Sequence, residues 1–463
     1  MYGLTIKLFA QVLTGRRGHI LTKLLLLTVV FLGIGRGSVL GQSTRVYAQY
    51  VGPEPANTGG TNGAGSANPG TFSFSSLANI NDGNLSNFAT ISATSGRSSV
   101  IGTGGMSTVF IDLNFTGSIS PITGTPIIIK LTAGTLSQIK VRAYNNNTTA
   151  VGTEQTVTSL TSLGAGEYVF IAPANCNSVR ITAETGAGLL GGTSSNNANI
   201  YYAYILDPTC SPASYTTTSM TTLVDLGSSF SNVTSAIDGD LTSFSSFTVG
   251  LGVGTTLYQN IYFSQLSDAT DAAKIRLSIP PSALAAGVLG SITIKAYNGN
   301  TLVGSPTSFQ ALLQGTDVLT ILQAGGISSF SFLPGGAFNR IEVSMSSLLS
   351  LATSMNLYEV QNTPPKPTFS SPAAKDIAVC LGSNAVFTST PTSGNELRWY
   401  TSATGGTAVT GNTFTPSPAP ITNTTYYVAM GRPGCAAESE RIPVTATIKA
   451  LPHLPAITPS INQ

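Results

Sequence analysis

Oxygen-bearing side chains two residues apart on a glycine turn are the first chemistry this sequence offers. Asp82 and Asn84 flank Gly83, and Asp238 and Asp240 flank Gly239. A hard cation such as Ca²⁺ accepts ligands of this kind, provided backbone carbonyls and a distant carboxylate complete a shell of six or more oxygens. Asp82, Asn84, Asp238 and Asp240 are therefore candidate metal ligands, for a calcium that would be structural. The same residues have a second use that needs no ion. Asp and Asn side chains accept hydrogen bonds from backbone N–H groups two residues on, and the glycine takes a positive φ.

A sugar site asks for aromatic rings to stack on, with amides and carboxylates around them. The single tryptophan, Trp399, falls in a stretch that needs a core residue. The tyrosines remain: Tyr47, Tyr50, Tyr201, Tyr202, Tyr204, Tyr258 and Tyr262, and above all Tyr144 and Tyr297, which recur in matched phrases. Tyr144 and Tyr297 stand opposite the inward face of their strands and are the candidate ligand-binding pair. Cross-strand packing is the other role open to them.

Catalysis is poorly served. The two histidines, His19 and His453, lie near the two ends of the chain, so the region between has no Ser-His-Asp triad, histidine metal site or imidazole base. Asp and Glu together number 19, mostly isolated in turns, and no pair recurs at an acid–base spacing. The chain reads as a non-enzyme with no cofactor beyond the candidate calcium. Four cysteines in an exported chain predict two disulfides. Cys380 with Cys435 is expected to pin the segment before strand B of the last domain to its final hairpin, worth roughly 4 kcal/mol in loop entropy. Cys176 with Cys210 is expected to clamp the first repeat to its exit. No Cys-x-x-Cys and no partner His occur, so zinc is not expected.

The elements that must position these residues are repeated. Asn81-Asp82-Gly83-Asn84-Leu85-Ser86-Asn87-Phe88 returns as Ile237-Asp238-Gly239-Asp240-Leu241-Thr242-Ser243-Phe244. Ala143-Tyr144-Asn145 answers to Ala296-Tyr297-Asn298, Asn177 to Asn339, Cys176 to Phe338, and Tyr204 to Tyr358. A unit of about 155 residues is too long for a solenoid repeat and suits a whole domain copied once. Only 9% of the 463 residues are charged, whereas Gly numbers 49. Few charges with many small and β-branched residues describe extracellular all-β modules. Within the repeats, Ile139, Val141 and Ala143 alternate with Lys140 and Arg142, and Ile292, Ile294 and Ala296 with Thr293 and Lys295. This period of two predicts strands with one buried face. Asn298-Gly299 reads as a hairpin turn, as does the Asn-rich stretch after Tyr144. Residues 283–290 are the best stretch for a short helical turn.

Residues 1–41 read as a signal peptide: Lys7, Arg16, Arg17 and Lys23 precede an apolar run over 24–34 that is too short to span a bilayer comfortably. Then come a β-sandwich over 42–207, a linker over 208–213, a second sandwich over 214–361 and a Pro-rich linker over 362–367. A smaller domain over 368–449 and a Pro-rich tail over 450–463 complete the chain. In the smaller domain strands are expected over 385–389, 396–401, 424–430 and 442–448, around Trp399, as an immunoglobulin-like sandwich. The fold class is all-β: two tandem jelly-roll sandwiches followed by an immunoglobulin-like one.

Val379-Cys380-Leu381-Gly382, Arg398-Trp399-Tyr400, Thr404-Gly405-Gly406, Thr424-Thr425-Tyr426-Tyr427-Val428 and Gly434-Cys435 stand in a recognisable order. They resemble the immunoglobulin-like domain of large surface proteins from gliding, type IX-secreting bacteria. The resemblance implies a spacer or adhesive module with no catalytic residues, although no sorting domain follows it here. The two repeats resemble galactose-binding-like sandwiches, where an Asp-Gly phrase helps hold a structural calcium. Phe88 and Phe244 stand where that family usually has Trp. The expectation is an exported, cell-surface, non-catalytic protein for adhesion or display, with a surface glycan or protein as partner. A carbohydrate-binding accessory region of a glycan-degrading protein and a pure spacer are the alternatives. A formal charge of +2 without a basic, aromatic-interleaved patch argues against nucleic acid, and no membrane span is expected once the signal is removed.

Overall fold

Strand-forming residues with one apolar face must find a second sheet to cover it, and the alternating segments do so in pairs of sheets. In the computed structural model, Ile139, Val141, Ala143, Ile292, Ile294 and Ala296 are all buried. The structure describes residues 45–52, 58–62, 69–97, 105–186, 192–285, 288–313, 326–347 and 352–449. They fall within one compact unit, Ser43–Gln463. The leader over 1–41 and the tail over 450–463 lie outside the described residues.

The first copy has two antiparallel sheets. One runs Thr71–Ser75, Ala89–Thr94, Ser195–Leu206, Pro126–Ala133, Glu167–Ile171 and Thr161–Gly164, with Arg45–Tyr47 added to the end of Ser195–Leu206. The other runs Thr58–Asn62, Ser107–Asn114, Ser178–Glu184, Ile139–Asn145 and Thr149–Thr156. The second copy repeats this order: Ser229–Ser231, Ser245–Val249, Thr353–Thr363, Ala272–Ser278 and Ser328–Phe332 face Ala213–Thr221, Thr256–Phe263, Arg340–Ser346, Ile292–Asn298 and Thr301–Ser308. Each sandwich closes over its own buried core, one built on Ile91, Ile111, Leu113 and Phe170 and the other on Phe247, Phe263, Phe309 and Phe338.

The recurring phrases have structural work. Asn177 Oδ1 accepts from Asn146 N at 2.8 Å, and Asn339 Oδ1 accepts from Gly299 N at 2.9 Å. Each asparagine latches the hairpin that follows Tyr144 or Tyr297. Positive φ falls on Asn146, Asn147 and Gly299, whereas Asn298 closes the strand pair with Thr301. One equivalence needs correction. Ile200 sits opposite Ala89 as Leu357 sits opposite Ser245, so Tyr358 is the counterpart of Tyr201, not of Tyr204. Both copies carry the same register shift here, with Tyr201 skipped between Ile200 and Tyr202 and Tyr358 skipped between Leu357 and Glu359. The rings confirm the pairing: Phe88–Tyr201 and Phe244–Tyr358 both lie at 5.2 Å between centroids, tilted by 59° and 54°.

The third sandwich pairs Asp376–Cys380, Ile442–Lys449, Thr424–Gly431, Glu396–Tyr400 and Val409–Thr410, with Phe387–Thr388 and Thr413–Phe414 as the facing pair. Asp376–Cys380 joins it in parallel to Ile442–Lys449, a strand the alternation does not announce. Trp399 is fully buried, stacks on Phe414 at 5.6 Å and donates from Nε1 to Gly411 O at 2.7 Å. Residues 283–290 fall across a short helix, Pro281–Ala285, and a 3-10 turn, Val288–Ser291. No helix among the described residues is long and apolar enough to cross a membrane.

Candidate ligand-binding site

The two acidic turns hold themselves. Asp82 Oδ1 accepts from Asn84 N at 2.8 Å and Oδ2 from Asn87 Nδ2 at 2.5 Å. Asn84 Oδ1 in turn accepts from Ser86 N at 3.0 Å. In the second copy Asp238 accepts from Asp240 N and Ser243 Oγ, and Asp240 from Thr242 N and Oγ1, at 2.7–2.9 Å. Gly83 and Gly239 have φ of 75° and 77°, the left-handed region that glycine enters freely. The Asn87 amide holds the Asp82 carboxyl below its ordinary range, and the Thr242 hydroxyl does the same for Asp240. Among the described residues no group of three or more His, Cys, Asp or Glu side chains is arranged to hold a metal.

What lies beside each turn differs. At the position after Tyr358 stands Glu359, 5% exposed, whose Oε2 accepts from Gly239 N at 3.1 Å. Burial first, and then Asp238 and Asp240 nearby, push its carboxyl up to about 8 against the pull of that hydrogen bond. The first copy has Tyr202 at this position, with its hydroxyl donating to Glu167 Oε1 at 2.6 Å. Burial and the Glu167 contact raise the Tyr202 phenol well above its usual range.

Between the first turn and the tyrosines opens a pocket of about 250 Å³, lined among others by Tyr47, Asn79, Asn84, Leu85, Tyr201 and Tyr202. Arg45–Tyr47 supplies one wall because it pairs with the end of Ser195–Leu206, setting Tyr47 opposite Tyr204. Tyr47 meets Tyr202 edge-on at 5.8 Å and Tyr204 at 5.5 Å. Phe88 backs Tyr201 and fixes its tilt. On the other side Asn81 bonds the backbone of Tyr50 in both directions, at 2.8 and 2.6 Å, and so fastens the turn to the entering chain. Among the described residues the Asn84 and Gln49 amide N–H₂ groups and the Tyr201 hydroxyl carry no hydrogen bond, so they are free to meet a ligand. Hollows of about 570 and 420 Å³ lie on the third sandwich, but neither is lined by an amide or a charged side chain.

Tyr144 and Tyr297 line none of these pockets. The Arg180 guanidinium lies 4.1 Å from the Tyr144 ring centroid, and Arg340 lies 4.0 Å from that of Tyr297. Arg180 is in turn held by both oxygens of fully buried Asp112 at 2.7 Å. Each ring is half-buried beneath a cross-strand cation. Sequence ranked this pair above Tyr47 and Tyr201 because the pair recurs in matched phrases.

The disulfides differ from expectation. Cys210 is bonded to Cys435, and Cys176 and Cys380 are free. Cys380 ends the edge strand Asp376–Cys380 and is exposed, whereas Cys435 is buried in a loop that meets the Pro208–Cys210 turn: its Sγ lies 3.7 Å from Thr209 O. Cys176 is enclosed in the first core, and burial raises its thiol to about 11. The same loop of the third sandwich pairs Arg432 with Asp271, and Lys274 Nζ donates to Glu438 O at 2.9 Å. Lys366 of the Pro-rich linker pairs with Glu440.

Residues 364–449 match the family of Ig-like domains described as CHU_C-associated. No curated protein matches the sequence. Among solved structures the chain is similar to the CBM32-1 and CBM32-2 domains of Clostridium perfringens ZmpB, at 11% identity and a TM-score of 0.21, covering 66% of this chain and 92% of that one. The same pair in complex with GalNAc gives 10% and 0.23, covering 66% and 89%. A β-1,2-glucanase from Parabacteroides distasonis gives 14% and 0.25; 53% of this chain is covered, and the chain spans 38% of that enzyme's length. At such identities and scores the likeness says nothing of ligand.

Proposed function

We propose that this chain is an exported, non-catalytic protein of the cell surface or extracellular space whose first sandwich binds a glycan. The observation that carries the reading is the pocket formed by Tyr47, Tyr201 and Tyr202 against the Asn81–Asn84 turn. Its rings offer faces and edges for a sugar, and the Asn84 and Gln49 amides offer donors at its rim. The non-catalytic reading rests on a sequence without histidine between His19 and His453 and on carboxylates committed to the fold, such as Asp112 to Arg180 and Glu167 to Tyr202. Adhesion is the use this reading favours, with the immunoglobulin-like domain as a spacer. A panel of oligosaccharides and polysaccharides offered to the folded protein, with calcium and again with chelator, tests it. Selective capture of a glycan is the expected result. A blank panel in both conditions leaves a scaffold or a protein-binding adhesin instead.

A further inference from the structure

Two cations stand beside the tyrosines without a carboxylate partner. Lys130 Nζ lies 5.1 Å from the Tyr201 ring centroid and 5.6 Å from that of Tyr202. The Arg45 guanidinium lies 4.6 Å from the Tyr204 centroid, and its Nη1 is 3.5 Å from the Tyr47 hydroxyl. Some strand cations have acids, as Lys140 has Glu184, Lys295 has Glu342 and Arg180 has Asp112, whereas Arg142, Arg276 and Arg340 form no ion pair among the described residues. Among the described residues neither Lys130 nor Arg45 forms an ion pair.

The nearby acids bond elsewhere, although Glu167 still acts on Arg45 from beyond ion-pair distance. Glu167 stands directly across the ladder from Lys130, yet takes the Tyr202 hydroxyl at 2.6 Å. Asp82 folds both oxygens into its own turn. At the matched position the second copy sets Glu359 opposite Arg276 in register, with no ion pair between them, where the first copy sets Tyr202 opposite Lys130. A cation over a ring face is held more weakly than one in an ion pair, and gains more from an anionic ligand that reaches it.

We infer that the glycan bound in this pocket is anionic, a uronate or sulfated sugar whose charged group is met by Lys130, with Arg45 receiving a further charge along the chain. The inference rests on the sugar-binding reading above and narrows it. A cation that accepts a carboxylate or sulfate in a half-buried setting forms a charge-assisted hydrogen bond, and its contribution falls with added salt.

The test uses the folded full-length protein and one pair of ligands, oligogalacturonate and its methyl ester, which share ring and linkage and differ in charge. Calorimetric titration is expected to show the free acid binding about tenfold more tightly, with the preference shrinking in roughly 0.5 M salt. Lys130→Gln is expected to reduce the preference to about twofold, chiefly by weakening the free acid. Arg45→Gln, at an exposed position, is expected to weaken only the longer acidic oligomers. Equal affinity for acid and ester, or an acid preference untouched in both variants, overturns the charge assignment while ester binding keeps the sugar-binding reading. Equal capture of polyphosphate, which has no ring to stack, also overturns it. Absence of binding to either oligosaccharide, with a blank glycan panel, removes both readings.

Discussion

Cys210, in the turn that leaves the first sandwich, is bonded to Cys435, in a loop of the third, across a sequence separation of 225. The same loop carries Arg432 to Asp271 and the carbonyls that receive Lys274. One loop of the immunoglobulin-like domain thus ties the exit of the first sandwich and a strand of the second to itself. Peptide mapping without reductant is expected to recover the Cys210 and Cys435 peptides joined, with Cys176 and Cys380 alkylated after unfolding. Cys210→Ser is expected to cost about 2–5 kcal/mol in chemical denaturation. A Cys176–Cys210 or Cys380–Cys435 peptide would contradict the tie.

Glu359 makes stability depend on pH. Its carboxyl titrates near 8 in the folded protein, above the ordinary value of 4.5, so the folded state holds the proton more tightly than the unfolded one. Stability from this group is full below about pH 4.5 and falls as pH rises toward 8, where it levels off. The loss is on the order of a few kcal/mol, at about 1.4 kcal/mol per unit. Glu359→Gln keeps an acceptor for Gly239 N and removes the titration. It is expected to stabilise the protein by about 1–3 kcal/mol at pH 8 and to flatten the profile. A wild-type profile already flat between pH 5 and 8 would show that Glu359 is ionised throughout.

Asp112 has both oxygens on Arg180, and Arg180 covers Phe110 at 3.8 Å as well as Tyr144. Removing one member leaves a poorly solvated charge, so Asp112→Ala is expected to cost about 3 kcal/mol in urea. Tyr144→Ala is expected to cost about 1 kcal/mol, mainly through the lost ring contact. A cost below about 0.5 kcal/mol for Asp112→Ala would show that the pair is solvated and structurally idle.

The acidic turns make a clear prediction about metal. Their carboxylates are occupied by backbone and side-chain donors within the turn, so chelator and millimolar calcium are expected to give the same Tm within about 1 °C. Asp238→Ala is expected to cost about 1 kcal/mol with or without calcium, through its lost hydrogen bonds. A rise of several degrees with calcium, lost in Asp238→Ala, would instead establish a structural calcium at Asp238 and Asp240.

The sandwiches were legible because strand alternation is a local property. Ile139, Val141 and Ala143 declare a buried face without reference to any partner, and Trp399 with its flanking strands declares a small core. Cysteine pairing was not legible, because it depends on how separate sandwiches dock: Cys210 lies near Cys435 only once the loop over 432–440 is seated. Recurrence ranked Tyr144 and Tyr297, whose matched positions reflect a shared hairpin, above Tyr47, which sits on a strand paired with the end of Ser195–Leu206. The match of Tyr204 to Tyr358 slipped because Tyr201, Tyr202 and Tyr204 crowd one strand and residue type does not choose among them, whereas the bulge shared by both copies singles out Tyr201.

Calorimetric titration of the best glycan from the panel into wild type, Tyr201→Ala and Tyr297→Ala locates the sugar site. Tyr201→Ala is expected to lose at least about tenfold in affinity, roughly 1.4 kcal/mol, while Tyr297→Ala binds as wild type. Unchanged binding in Tyr201→Ala, with loss in Tyr297→Ala, would move the site to the recurrent hairpins and contradict binding at Tyr201.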